Sequence, residues 1–302
     1  MKPSLLMRHQ NTKHPDLIDE IMSAVPKYGF CAEDVIKEGR TTKSNIEAVK
    51  KWLSYNTHIP PMSDEQIVLF LLACDNDVEF TQRTIENFFK QKAASPELFA
   101  NRDIDLKENQ YQHTITYFTI FPKRTKENCV VTCGSLRNTT YYKWSIEPQI
   151  KTAFTLIDTS LYSNPPNGLI FILDLKGVGL MHLSRLKLGP LKKFFAYLQE
   201  ALPVKLKQVH IMNASYIFEK LLAITKPFMK QELYDLIVSH PPDTKMEEFF
   251  ENYIPASCMP VDFGGELPSL EQMSEDFQNQ CRKLKTFLQT GEKQVELYKK
   301  DN

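Results

Sequence analysis

The sequence predicts an α/β protein: a bundle of helices over about the first 100 residues, then a lobe built on a mainly parallel sheet. Three observations predict it. The runs Leu169-Ile-Phe-Ile-Leu173 and Val209-His-Ile-Met212 are almost continuously apolar, the pattern of strands covered on both faces. Helical periodicities separate these runs, and strands that alternate with helices need crossover connections. The N-terminal third, by contrast, carries helix caps and three-to-four spacing of apolar residues.

Within the N-terminal third, residues 16–25 show helical spacing and 32–38 form a short amphipathic segment. Ser44 is expected to cap a helix to about Tyr55, with Ile46, Val49, Trp52 and Leu53 on one face. Two prolines make 56–61 a loop. Ser63-Asp-Glu-Gln66 is a capping box before a strongly apolar helix. Asp77 caps the next, which carries Phe80, Ile85, Phe88 and Phe89. Ser95-Pro96 opens a short helical turn.

The character then changes. Segments 114–121 and 128–133 alternate and are rich in β-branched residues, so both read as strands. A helix is expected over 141–162, a turn at 164–168 and a buried strand over 169–175. Residues 190–201 read as a helix burying Leu191, Phe194, Phe195 and Leu198, followed by a second buried strand at 209–212. Ser215 caps a helix to about Thr225; Lys226-Pro227 ends it, and Pro227 starts a further helix to about Val238. Residues 246–253 read as helical and 254–265 as irregular. Ser269 caps a long final helix with Leu270, Met273, Phe277, Cys281, Leu284 and Leu288 on one stripe.

Composition narrows the function. Lys plus Arg and Asp plus Glu both number 37, so the basic bias of a nucleic-acid binder is missing. With 42% apolar and 25% charged residues the chain reads as soluble and globular. The N-terminus lacks the roughly 7–15 apolar residues of a signal peptide, and no run approaches the roughly 20 of a membrane span. Lys2 rules out N-myristoylation, and no C-terminal cysteine offers a prenylation site. A cytoplasmic protein that touches membranes only transiently is the expectation. The six cysteines show no CxxC, and Cys129 and Cys133 lie four apart in a strand as ordinary apolar residues, so reduced, mostly buried thiols are expected.

Catalytic signatures are weak. Lys176-Gly-Val-Gly179 follows a strand, but His182 stands where a dinucleotide loop needs its third glycine. No GxSxG, no Walker A and no HxxxH pair is present, and His210 reads as a core histidine. No catalysis, no cofactor and no metal ligands are expected.

Several motifs, in order, carry a family likeness. They are Phe70-Leu-Leu-Ala-Cys-Asp-Asn-Asp-Val78, Phe99-Ala-Asn-Arg-Asp103, Ile172-Leu-Asp-Leu-Lys-Gly177, Val209-His-Ile-Met-Asn213, Ile217-Phe218 through Lys226-Pro227-Phe228, and Met259-Pro-Val-Asp-Phe-Gly-Gly265. Together they resemble the CRAL-TRIO lipid-binding and lipid-transfer proteins, most closely the α-tocopherol-transfer-protein-like branch common in insects. The likeness covers about Ser44 to Glu266.

The resemblance implies three parts: an N-terminal helical domain (1–103), a lipid-binding lobe with an apolar pocket and a mobile gate helix (104–266), and a C-terminal helix packing on the domain (267–302). It implies a monomeric carrier that closes over one small hydrophobic ligand, of tocopherol, retinoid, carotenoid or phospholipid type, and opens at a membrane. By motif position the pocket takes Leu169, Phe171, Leu173, Val209 and Ile211 from strands, and Phe154, Thr155, Phe194, Tyr197 and Leu198 from helices. The gate supplies Ile217, Phe218 and Leu221 to the pocket, while Leu222, Ile224, Phe228 and Met229, with Leu221, are candidates for exchange with the bilayer. Thr155, Tyr197 and Asp158 are candidates to orient a polar head.

The family's phosphoinositide cluster is only half matched, by Lys205 and Lys207; its other two positions fall on Glu232 and Leu236. The family's Arg-Ala-Arg-Lys run is Leu72-Ala73-Cys74-Asp75 here. Weakened phosphoinositide dependence is expected, since each basic residue contributes about 1 kcal/mol of attraction to anionic lipid. The alternative reading is a non-transferring interaction module, recognised by a pocket filled in by Phe171, Phe194 and Tyr197.

Overall fold

The computed structural model describes residues 23–300. Most of the helical spacing at 16–25 therefore lies outside the described residues. The N-terminal helices are α1 (Ala32–Lys37), α2 (Lys43–Tyr55), α3 (Asp64–Ala73), α4 (Val78–Ala93), α5 (Pro96–Phe99) and α6 (Lys107–His113). Ser63 and Asp77 cap α3 and α4, accepting from the backbone N–H groups of Gln66 and Phe80. The cap of α2 is Thr42, not Ser44. Thr42 holds the extended conformation of a capping residue, and its Oγ1 accepts from Asn45 N–H, which leaves Ser44 inside the first turn.

Five strands follow: β1 (Thr116–Ile120), β2 (Cys129–Leu136), β3 (Gly168–Asp174), β4 (Leu206–Met212) and β5 (Ile237–Ser239). They form one sheet in chain order, antiparallel between β1 and β2 and parallel thereafter. The crossovers are helical. α7 (Ile146–Ser160) joins β2 to β3, α8 (Leu180–Leu183) and α9 (Leu188–Glu200) join β3 to β4, and α10 (Tyr216–Thr225) and α11 (Gln231–Tyr234) join β4 to β5. The chain ends in α12 (Met246–Asn252), α13 (Leu270–Lys283) and α14 (Lys285–Lys300).

Three expected helices are corrected. The one over 141–162 begins only at Ile146, because Trp144 and Ser145 are extended; 141–143 is a 3₁₀ turn. The helix expected from Pro227 to Val238 is a 3₁₀ turn, the short α11 and then strand β5. The β-branched Ile237 and Val238 pair with Val209 and His210, satisfying the free edge of β4. The long final helix breaks at Leu284, so α13 and α14 are separate.

The apolar run in β3 serves two different faces. Ile170 and Ile172 join Cys129, Val131, Cys133 and Met259 in a packed core beneath α12 and the start of α13. Leu169, Phe171 and Leu173 point the other way, into a cavity. A third body of apolar packing runs without interruption from α3 and α4 into the lobe, through Phe70, Phe88, Phe99, Phe154 and Tyr197.

Candidate ligand cavity and its lid

The cavity encloses about 260 Å³ between the sheet and α10. Its floor is the open face of β2, β3 and β4, where alternation places Gly134, Phe171, Leu173, Val209 and Ile211. One wall is the α7 stripe of Ile146, Ile150, Ala153 and Ile157; the other is the α9 stripe of Leu191, Phe194, Phe195 and Leu198, each at helical spacing. Phe218, Leu221, Leu222 and Thr225 of α10 cover it, with Met229, Leu233 and Ile237 beyond.

α10 is apolar but loosely held. Only Ile217 and Thr225 are buried, while Phe218, Leu221, Leu222 and Ile224 are half-buried. Ser215 caps its start, accepting from Ile217 N–H at 3.4 Å. Past its end, the Gln199 side chain of α9 holds the following turn at two points. Its amide donates to Phe228 O at 3.1 Å, and its oxygen accepts from Lys230 N–H.

Of the side chains expected in the pocket, Leu169, Phe171, Leu173, Val209, Ile211, Phe194, Leu198, Phe218 and Leu221 lie on this lining. Phe154, Thr155, Tyr197 and Ile217 do not. Phe154 follows Ala153 around α7 and faces the N-terminal bundle, stacked on Phe99 with centroids 4.5 Å apart and packed against Tyr197 at 4.7 Å. The Thr155 hydroxyl is used within its own helix, donating to Lys151 O at 2.9 Å. Ile217 is buried at the root of α10. Asp158 is the centre of a buried ionic cluster with Lys92 and Arg102, so the polar trio of Thr155, Tyr197 and Asp158 stands apart from the cavity. Of the bilayer candidates, Leu222 and Met229 line the cavity, while Ile224 and Phe228 pack against the main core. Lys205 is paired with Asp75, and Lys207 is exposed without a carboxylate within ion-pair distance among the described residues.

The lining also includes residues not anticipated: Thr116 and Phe118 on β1, Leu136, Trp144, Gln149 and His182. The alternation of β1 and the α7 stripe carried a signal for Thr116, Phe118 and Gln149; His182 sits in a short helix with none. Asp174, the one carboxylate on the lining among the described residues, is held by Ser135 Oγ at 3.0 Å, Asn213 Nδ2 at 2.7 Å and Lys176 N–H at 2.9 Å. Burial keeps the pKa of His182 below the ordinary histidine value, so its ring is neutral.

Among the described residues, Cys31, Glu33 and Glu65 bring potential metal-ligand atoms within 4.8 Å of one another. The Cys31 thiol donates to Glu33 at 2.6 Å, and Glu65 accepts from Ala32 N–H at 3.2 Å, so these surface groups dress the start of α1.

The cavity is thus floored by alternate apolar residues of the sheet and roofed by an apolar helix whose side chains are mostly half-buried or exposed. Residues 115–265 match the CRAL/TRIO domain, and residues 38–109 match the Pinta-like UBA domain. The chain belongs to the CRAL-TRIO family of lipid-binding and lipid-transfer proteins. It is 26% identical over 216 residues to the human alpha-tocopherol transfer protein-like protein, covering 70% of this chain and 60% of that relative. It is also 26% identical over 252 residues to the human tyrosine-protein phosphatase non-receptor type 9, covering 80% of this chain but 40% of that one. The chain thus spans about three fifths of the tocopherol-transfer-like relative. The crystal structure of Sfh5 superimposes with a TM-score of 0.46 at 16% identity, covering 61% of this chain and 70% of that chain. The curated relatives named here are human, and they do not bear out an insect affinity.

Proposed function

We propose that this protein is a carrier that holds one hydrophobic ligand beneath α10 and exchanges it at a membrane surface by opening that helix. The observation that carries the reading is the pairing of an apolar cavity with an apolar lid whose side chains are only half-buried. Exposing a lipid tail costs about 25 cal/mol per Å², so a carrier needs a covered cavity. A lid must also be able to leave it, and a bilayer can take up the apolar face that packing releases. Leu180, Met181, Leu188 and Tyr216 are exposed at the ends of the elements that frame the cavity, which supports the same direction of approach. An uncharged isoprenoid ligand of the tocopherol, retinoid or carotenoid kind suits a lining that, among the described residues, has no lysine or arginine.

The reading assigns no catalysis; Asp174 is held in place by three donors. Phosphoinositide dependence is expected to be weak, because Lys205 is neutralised by Asp75. The interaction-module alternative called for a pocket filled by Phe171, Phe194 and Tyr197. The first two instead line an open cavity, and Tyr197 packs elsewhere, which favours the carrier. Native mass spectrometry of the purified chain, with organic extraction of whatever it carries, tests the reading. One lipid per chain is expected. A chain that is empty and takes up no tocopherol, retinoid, carotenoid or phospholipid would overturn it.

A further inference from the structure

The two ends of α10 are fastened differently. The N-terminal root is tied to buried partners. Asn213, in the left-handed region at φ +53°, donates through Nδ2 to Asp174 Oδ1 at 2.7 Å, and Ala214 N–H donates to His240 O at 2.8 Å. Asp174, His240 and Ile217 are all buried. The other end is fastened at the surface. Lys226, Pro227 and Lys230 are exposed, and Phe228 and Met229 are half-buried.

One side chain of α9 closes that outer end. Gln199 donates to Phe228 O at 3.1 Å and accepts from Lys230 N–H. Among the described residues no backbone group bonds either of these two atoms, so both depend on Gln199. The partners also fix which way the amide points, since a carbonyl only accepts and an N–H only donates. A further tie, Lys230 to Glu200 at 2.8 Å, is an exposed ion pair of little strength. Gln199 is half-buried and is not on the cavity lining. Water or a lipid head group can replace both of its bonds at the surface. The bonds at the root have no such substitute while the core stays closed.

We propose that Gln199 is the latch of the lid: α10 pivots about its buried root at Asn213–Ala214 and opens from its C-terminal end when Gln199 releases Phe228 and Lys230. Gln199 is thus a positioning residue, acting on ligand exchange through the helix and not by touching the ligand. The assignment rests on the carrier reading above. Met229 and Lys230 are both extended and join the lid to α11, so they supply the give that the released end needs.

The test removes the latch from each side. Gln199→Met keeps the length of the side chain and loses both bonds. Lys230→Pro removes the N–H donor; Lys230 has a φ of −74° and Met229 is extended, so proline fits without strain. Lys230→Ala, which keeps the N–H and loses the ion pair, is its control. Hydrogen–deuterium exchange on the full chain should be roughly tenfold faster over 221–229 in Gln199→Met, with β3, β4 and 213–217 unchanged and the thermal midpoint near that of wild type. Lys230→Pro should show part of the same effect and Lys230→Ala none. Lys230→Pro should add little on top of Gln199→Met, because both break one contact. Native mass spectrometry after incubation with phosphatidylcholine vesicles follows the lipid-bearing fraction, which should fall roughly tenfold faster in Gln199→Met. Unchanged exchange or unchanged lipid loss in Gln199→Met, or a rise that starts at 213–217, overturns the latch and leaves the carrier standing. Faster exchange at 221–229 in a chain that carries no lipid and takes up none keeps the moving helix and overturns the carrier.

Discussion

Nδ1 of His210 lies 2.9 Å from Nε2 of His240, joining the middle of β4 to the residue that follows β5. The pair is fully shielded at His210 and is walled by Phe249 and Tyr253. His240 also clamps the backbone, donating its N–H to Ile211 O at 2.9 Å and accepting from Ala214 N–H at 2.8 Å. Both ends of the excursion that carries α10 are therefore pinned at one point. The expectation from sequence, a core histidine with its polar atoms satisfied, holds for His210, whose Nε2 faces Gln208 Oε1 at 3.2 Å.

Acid should loosen this clamp. Burial first, and then the neighbouring His240, lower the pKa of His210 from 6.5 to about 4, and burial lowers that of His240. The unfolded chain thus takes up protons before the folded one. Stability is full above about pH 6.5 and is lost as pH falls from there toward 4. At about 1.4 kcal/mol per pH unit, His210 alone accounts for a loss of about 3 kcal/mol. His113, also lowered to about 4 by burial, adds to the same slope. Urea unfolding from pH 7.5 to 4.5 should show the loss, and His210→Leu with His240→Leu should flatten it. An equal slope in the double variant would assign the acid sensitivity to other groups.

A second prediction concerns the buried ionic cluster. Asp158 of α7 accepts from Lys92 of α4 at 3.1 Å and from Arg102, which in turn meets Glu292 of α14 at 3.4 Å. Burial pulls the pKa of Lys92 down to about 8, partly offset by Asp158. Burial works to raise that of Asp158, but Lys92 and Arg102 outweigh it and hold the carboxylate ionised. Lys92 Nζ also lies 4.2 Å from the Phe88 ring centroid. Asp158→Asn leaves two buried cations facing Glu292 alone and should cost about 3–5 kcal/mol. Lys92→Met removes one cation and keeps the Arg102–Asp158 pair, so the smaller loss is expected there. Equal losses in denaturant titrations would show that packing, not charge, sets the cost.

How much of this was legible in the sequence follows from these contacts. The strand assignment of β3 needed only its apolar run, because a strand covered on both faces has no polar side to show. The same property hid which face meets a cavity and which meets packed core. α7 poses the harder version. Ala153 lines the cavity and Phe154 packs against the N-terminal bundle, and both are buried, so helical spacing alone cannot separate them. β5 escaped notice because three residues are too few to show alternation and Pro227 favours a helix start. His182, Thr116 and Gln149 come from three separate elements and share one cavity lining only through the fold.

The glycine pair after β5 separates two kinds of constraint. A Cβ on Gly265 would lie 2.1 Å from Met259 O, in a turn that also bridges Pro260 to Leu267. Met259 is fully buried in the packed core, so the backbone has nowhere to move. Gly264 instead has a φ of +79° with open space around it. Gly265→Ala should therefore cost about 3 kcal/mol or more, and Gly264→Ala only about 1–2 kcal/mol of left-handed strain. Thermal denaturation of the two variants checks the order; a reversed order would mean that the turn relaxes more easily than its contacts imply.

The lid makes the most direct prediction about function. Leu221 is half-buried over the cavity, one turn beyond the buried Ile217. A carboxylate at 221 faces either an apolar interior, where its charge is uncompensated, or water, in which case α10 lifts and the cavity loses its roof. Each route removes the ligand without touching the packed core. Leu221→Asp should lower the co-purified lipid at least tenfold, with an unchanged far-ultraviolet circular dichroism spectrum and a stability loss of about 1 kcal/mol. Ile217→Asp places the same charge at the buried root and should cost several times more. That contrast separates a lid from ordinary core: in core, both substitutions would unfold the protein alike. A Leu221→Asp chain that still carries one lipid would mean that α10 does not retain the ligand.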